Sequence, residues 1–183
     1  MANVTELIKK QESTIKKYQS TIFNNMSPVL FPDEYSKTRF VSNVMTCIRK
    51  NPGLAETSPA SLLGSIVECA TIGLTPDGIT GLAHLVPFNS KSRGKECQLI
   101  IGYKGYRKLA LRNPDYVKFV MRAVHKGDDF SYEFGLDENI SHVPRGKSTE
   151  LTHVYAFVVT KSGDRIFDVM TVDEVNRVKE GTS

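Results

Sequence analysis

The chain has 183 residues, 40% of them hydrophobic and 24% charged, with a formal net charge of +4. That balance fits a folded domain with its own core and excludes collagen-like or low-complexity architecture. No apolar run approaches the roughly 18–20 residues of a membrane span, and the first residues lack the apolar stretch of a secretory leader, so a cytoplasmic setting is the expectation.

Residues 4–22 place Val4, Leu7, Ile8, Ile15, Tyr18 and Ile22 at helical spacing between lysines, a thin amphipathic stripe broken by Asn24, Asn25 and Pro28. Such a stripe packs either on its own domain or on a neighbouring subunit. The expected division is therefore a helical arm over residues 1–27, a candidate oligomerisation element, and a core domain over residues 28–183.

A second helix is expected from Asp33 to Lys50, burying Tyr35, Phe40, Val41, Val44, Met45 and Ile48, with Asn51-Pro52-Gly53 as its stop. A third starts with Ser58 as N-cap and Pro59 in the first turn. It carries Leu62, Leu63, Ile66, Val67 and Ala70 as its core stripe and ends at Gly73. The period then changes. Leu82–Phe88 and Cys97–Ile101 read as strands of a β-hairpin, with the basic, glycine-containing stretch Asn89–Lys95 as a flexible tip. Gly102 turns the chain into a helix over Tyr103–Arg112, closed by Asn113-Pro114.

Tyr116–Val124, Leu151–Thr160 and Arg165–Met170 are the remaining longer strands, and KGDDFSYEFGLDENISHVP between the first two reads as loop and one short strand. Thr171 and Glu174 have the spacing of a capping box that opens a last helix from Val172 to about Lys179. The fold class is α+β: a small antiparallel sheet with a protruding β-hairpin, packed by several helices. Cys47, Cys69 and Cys97 form no CxxC or Cys/His cluster and read as small reduced thiols.

The charge is unevenly spread. Residues 91–126 hold ten cations, namely Lys91, Arg93, Lys95, Lys104, Arg107, Lys108, Arg112, Lys118, Arg122 and Lys126, against only Glu96 and Asp115. The rest of the chain is mildly acidic, and a concentrated basic block is the footprint of a polyanion binder. On a helical wheel Lys104, Arg107, Lys108 and Arg112 share an arc of about 140°, while Tyr103, Tyr106 and Ala110 point the other way, toward the core. A solvated face would carry the same pattern. Cations on three successive elements favour a groove for nucleic-acid phosphates, with Lys118, Arg122 and Lys126 at even steps along one strand face.

No helix-turn-helix, zinc-finger or RNP signature is evident, so the contacts expected are to phosphates. His84, Phe88 and Tyr103 are candidates for touching bases. The segment GKECQLIIGYKG lacks the spacing of a phosphate-binding P-loop. Asp128, Asp129, Asp137, Glu138 and His142 imitate a two-metal nuclease site, although adjacent carboxylates diverge on a strand.

GLTPDGITGLAHLVPF followed by KECQLIIGYKGYRKLALR resembles the core signature of the RecT family of phage and prophage single-strand annealing proteins, and KGDDFSYEFG and the later HVP match its style. The resemblance covers roughly residues 30–180. It implies a non-enzymatic protein that needs no cofactor, binds single-stranded DNA, pairs it with a complementary strand and assembles into rings or filaments in the bacterial cytoplasm. It also implies a phage exonuclease and a host single-strand-binding protein as partners, reached through a C-terminal region beyond this stretch. The rival readings are a structural DNA-coating protein and a metal-dependent nuclease.

Overall fold

A computed structural model describes residues 4–26, 28, 30–136 and 138–181. The chain falls into two compact units, residues 1–106 and 107–183, where the sequence pattern suggested a boundary at 27/28. The class is α+β, with three small antiparallel sheets among the described residues.

The first unit begins with α1 (Val4–Lys17) and α2 (Gln19–Asn24), two helices where the periodicity suggested one. Ile15 and Ile22 from these helices are fully buried within the unit. The Gln11 amide donates to the carbonyl oxygen of Thr57 at 2.9 Å, and Glu12 pairs with Arg49 at 2.7 Å.

Helix α3 (Glu34–Lys50) is capped by Asp33, whose carboxylate accepts from the Ser36 amide at 2.6 Å. Phe40, Val41, Val44, Met45 and Ile48 are buried as expected. Tyr35 is not: it stands 75% exposed, because the first turn of the helix lies beyond the packed layer. Pro52 does more than end α3. It opens the one-turn helix α4 (Pro52–Ala55), the position a ring without an N–H tolerates best.

Helix α5 (Pro59–Thr71) follows its predicted punctuation. The Ser58 hydroxyl accepts from the Ser61 amide at 3.2 Å. Gly73 takes a φ of 65°, the left-handed conformation that ends helices at low cost for glycine. Its buried face is rotated from the expected one: Ser65 and Cys69 join Leu62, Ile66 and Ala70, while Leu63 and Val67 are only half-buried. Fully burying a side chain such as Leu62 or Ile66 contributes about 1.5–3 kcal/mol, so α5 anchors this unit.

The hairpin of β1 (Ala83–Ser90) and β2 (Gly94–Ile101) packs on α5 through Ala83, Leu85 and Cys97. The Ser65 hydroxyl donates to the Cys97 carbonyl at 3.0 Å. Its strands run further than predicted, pairing out to Ser90 and Gly94, so only residues 91–93 make the tip. All three cysteines are free thiols.

The unit boundary falls within α6 (Tyr103–Ala110). The second unit holds a three-stranded sheet in the order β3 (Tyr116–His125), β6 (Leu151–Thr160), β7 (Arg165–Thr171). Between β3 and β6 the chain forms a further hairpin of β4 (Asp129–Glu133) and β5 (Asn139–Val143), a stretch the sequence pattern suggested was loop and one short strand. Helix α7 (Val172–Gly181) opens with the predicted capping box: Glu174 accepts from the Thr171 amide at 2.8 Å, and the Thr171 hydroxyl accepts from the Glu174 amide at 3.3 Å. Among the described residues, no helix is long and apolar enough to cross a membrane.

Candidate nucleic-acid interface

Helix α6 is seated by its backbone. A Cβ on Gly105 would lie 2.0 Å from the Leu82 carbonyl oxygen, and one on Gly102 would lie 2.2 Å from that of Gly81. The Gly102 amide donates to the Leu82 oxygen at 3.0 Å. Two residues without side chains thus let the start of α6 meet the backbone just ahead of β1.

Gly105 is the buried residue of this helix. The expectation that Tyr103 and Tyr106 face the core is therefore corrected: they are 63% and 52% exposed. The glycine contact takes the place a tyrosine ring would have filled. Lys104, Arg107 and Lys108 are exposed on the same short helix. The Lys104 ammonium lies 5.9 Å from the Tyr103 ring centroid, and the Arg107 Nε donates to the Phe119 carbonyl at 3.2 Å. Arg112, just beyond the helix, is exposed as well.

The hairpin cations are unequal. Lys91 is exposed at the tip. Arg93 reaches Glu96 at 3.4 Å. Lys95 is a strand residue opposite Asn89 and not part of a flexible tip, and its ammonium is paired with Glu56. His84 is exposed on β1 and lines a cavity of about 260 Å³ together with Cys47, Lys50, Asn51 and Asp77. Phe88 is 38% exposed on the same strand.

In the second unit Lys118 and Arg122 share one face of β3. Lys118 places its ammonium 5.2 Å from the Phe157 ring centroid, and Arg122 stands directly opposite Tyr155. Lys126 does not continue that row. A register shift at Val124/His125 breaks the alternation, and Lys126 turns to Glu150 at 3.0 Å. The predicted site residues thus lie in both units, with His84, Phe88, Lys91, Arg93, Lys95, Tyr103 and Lys104 in the first.

The acidic cluster is committed to structure. Asp128 accepts from the Arg145 amide at 2.7 Å, from the His125 amide at 2.9 Å and from His142 at 3.2 Å. Those backbone donors, Arg145 first, hold its carboxyl well below the usual carboxylate range. Asp129 diverges and pairs with the Arg145 side chain. Asp137 lies outside the described residues. Among the described residues, no group of three or more His, Cys, Asp or Glu side chains is placed to hold a metal ion.

Composition and charge gave no sign of the aromatic row in the second unit. Phe130 and Tyr155 stack at 5.7 Å with 20° between planes, and Tyr155 and Phe157 follow at 6.4 Å and 16°. Period-two spacing in HVYAFVVT, which puts His153, Tyr155 and Phe157 on one strand face, was the available signal.

The sequence model of the RecT family matches residues 38–183. Protein RecT of Escherichia coli (strain K12) is 40% identical over 152 residues, covering 81% of this chain and 56% of that protein. Uncharacterized protein YqaK of Bacillus subtilis (strain 168) is 32% identical over 91 residues, covering 50% of this chain and 30% of that protein. The matched stretch thus spans about half of the first relative and less of the second.

Proposed function

The chain belongs to the RecT family, and from that premise we propose that it is a recombination protein that binds single-stranded DNA and anneals it to a complementary strand without nucleotide hydrolysis. The observation that carries this reading is α6, whose glycine seat leaves Lys104, Arg107 and Lys108 facing solvent. Each unit thus offers its own exposed cations to DNA phosphates, Lys91 and Lys104 in the first and Arg107, Lys108, Arg112, Lys118 and Arg122 in the second. Neutralising those phosphates lowers the repulsion between two strands, and base edges left unread can test register with the second. Each matched step then adds stacking of about 1.4 kcal/mol that a mismatch forfeits. Specificity lies in the DNA.

Assembly of several copies belongs to the same proposal, as do exonuclease and single-strand-binding partners, all on the strength of family membership. Because Ile15 and Gln11 are buried within their own unit, a subunit contact through this arm would use its exposed residues, among them Val4 on α1 and Tyr18 between α1 and α2. Light scattering on a Val4→Glu, Tyr18→Glu double variant tests it: a smaller assembly supports the contact and an unchanged mass removes it.

The decisive experiment follows renaturation of complementary oligonucleotides at low ionic strength with no nucleotide present, alongside competition between single strands and duplex. Accelerated pairing with preference for the single strand is expected. Equal or tighter duplex binding without acceleration would favour a DNA-coating protein instead.

A further inference from the structure

The row of rings on β6 has more to it than a hydrophobic layer. In the second unit, among the described residues, Val124 and Phe167 are the buried hydrophobics. Tyr155 and Phe157 are only half-buried although both lie mid-strand. Their rings are nearly parallel, and that of Phe130 continues the row beyond Tyr155. The two cations of β3 that share this face stand beside them, Lys118 over Phe157 and Arg122 opposite Tyr155. Four residues of strand separate these cations, about 13 Å.

Tyr155 is held from behind. Its hydroxyl lies 3.1 Å from Nδ1 of His142, whose Nε2 lies 3.2 Å from Asp128. The His142 and Asp128 side chains are 5% and 3% exposed. Asp128 is an acceptor toward two backbone amides as well, so the Nε2–H of His142 donates to it, and in that tautomer Nδ1 faces the Tyr155 hydroxyl as a hydrogen-bond acceptor. This chain fixes the phenol end of the ring while leaving part of its surface free. A fixed, stepped row of half-open rings edged by cations is the arrangement that binds single-stranded nucleic acid independently of sequence: every base has a face to stack, and the cations meet the backbone.

We propose that Phe157 and Tyr155, framed by Lys118 and Arg122, form a stacking platform for the bases of a single strand, with His142 and Asp128 as positioning residues for Tyr155. The proposal rests on the single-strand-binding reading above and adds a base-contacting surface distinct from His84, Phe88 and Tyr103. The Lys118 ammonium now covers the ring of Phe157; an incoming base would take that place while the ammonium moved to a phosphate.

The chain contains no tryptophan, so Phe157→Trp installs a single fluorescent reporter, and Tyr155→Trp a second. Titration with an oligothymidylate, followed in parallel by fluorescence anisotropy of the labelled strand, should quench both reporters with the midpoint seen by anisotropy. Phe157→Leu should weaken single-strand affinity about tenfold or more with an unchanged salt slope, because stacking releases no counterions. Lys118→Ala should lower the slope by about 0.7. Tyr155→Phe, which keeps the ring but loses the hydroxyl held by His142, should weaken binding, though less than Tyr155→Leu; a Tyr155→Phe variant that binds like the parent would remove the positioning role of His142 and Asp128. If the strand binds while both tryptophans keep their emission, or Phe157→Leu binds like the parent, the platform is wrong and the single-strand reading survives. If the parent chain binds no single strand at all, both fall together.

Discussion

Gly105 brings α6 against the carbonyl oxygen of Leu82 so closely that a methyl group there would sit 2.0 Å from it. The contact is with backbone, which cannot rotate aside. Alanine would add about 1 kcal/mol of helix propensity, but overpacking of this kind costs about 1–3 kcal/mol. Gly105→Ala is expected to lower the urea midpoint and weaken strand binding together. Gly64, mid-helix in α5 with nothing within 4 Å of its missing Cβ, is the control. Gly64→Ala should stabilise by about 0.5–1 kcal/mol in the same titration.

The exposed cations of α6 give a second prediction. Replacing Lys104, Arg107 and Lys108 together with alanine should reduce the slope of log K against log salt by about 2, at about 0.7 for each lost phosphate contact. Lys95 and Lys126, each already paired with a glutamate, should change the slope much less when replaced singly. An unchanged slope in the triple variant would show that another surface holds the DNA.

Asp128 sets a pH dependence. Its carboxyl is held low by the Arg145 and His125 amides and by His142, so the folded state favours the ionised form. A carboxyl depressed on folding contributes fully above its unfolded value near 4, and that contribution drains away as pH falls through and below that value. Melting temperatures from pH 7 to pH 2.5 should therefore show the gap between the parent and Asp128→Asn narrowing below about pH 4. A constant gap would mean the carboxylate charge is not what the hydrogen bonds stabilise.

Cys69 behaves in the opposite sense. Burial pushes its thiol up to about 12, so it stays protonated where an exposed cysteine ionises. The unfolded chain loses that proton near 9 while the folded one keeps it, and stability falls as pH rises beyond that point. Thiol labelling of the native protein at pH 8 should leave Cys69 unmodified until urea unfolds the chain. Fast native labelling of Cys69 would contradict its buried position.

Much of this architecture is legible from local chemistry. Ser58-Pro59, Asp33 and the Thr171/Glu174 pair announce helix starts because capping is a matter of three or four neighbouring residues, and Gly73 announces an end for the same reason. The tyrosines of α6 are misjudged because amphipathic spacing assumes that side chains make the seat, whereas here glycine does. The β4–β5 hairpin is only half legible: Phe130, Tyr132 and Phe134 alternate as in a strand, but the partner strand Asn139–Val143 is short, and its far end is secured by Asp128 reaching the Arg145 amide, a relation across 17 residues. Of the candidate site, the cations are visible as a block. Which of them glutamates already occupy, as at Lys95 and Lys126, is not visible, since Glu56 and Glu150 lie far away in sequence.

The placement of β4 and β5 between β3 and β6 has a kinetic consequence. The hairpins β1–β2, β4–β5 and β6–β7 each close on an immediate neighbour, but β3 must wait for residues 151–160 before its ladder can form. Docking of the basic strand is therefore expected late in folding, after the local pairs have formed. Trimming Val124, its buried anchor, should hasten unfolding and leave the refolding rate nearly untouched in stopped-flow measurements. On the ribosome the same order leaves this strand unpartnered for longest, which makes the newborn chain most vulnerable to misassembly along the strand that carries Lys118 and Arg122.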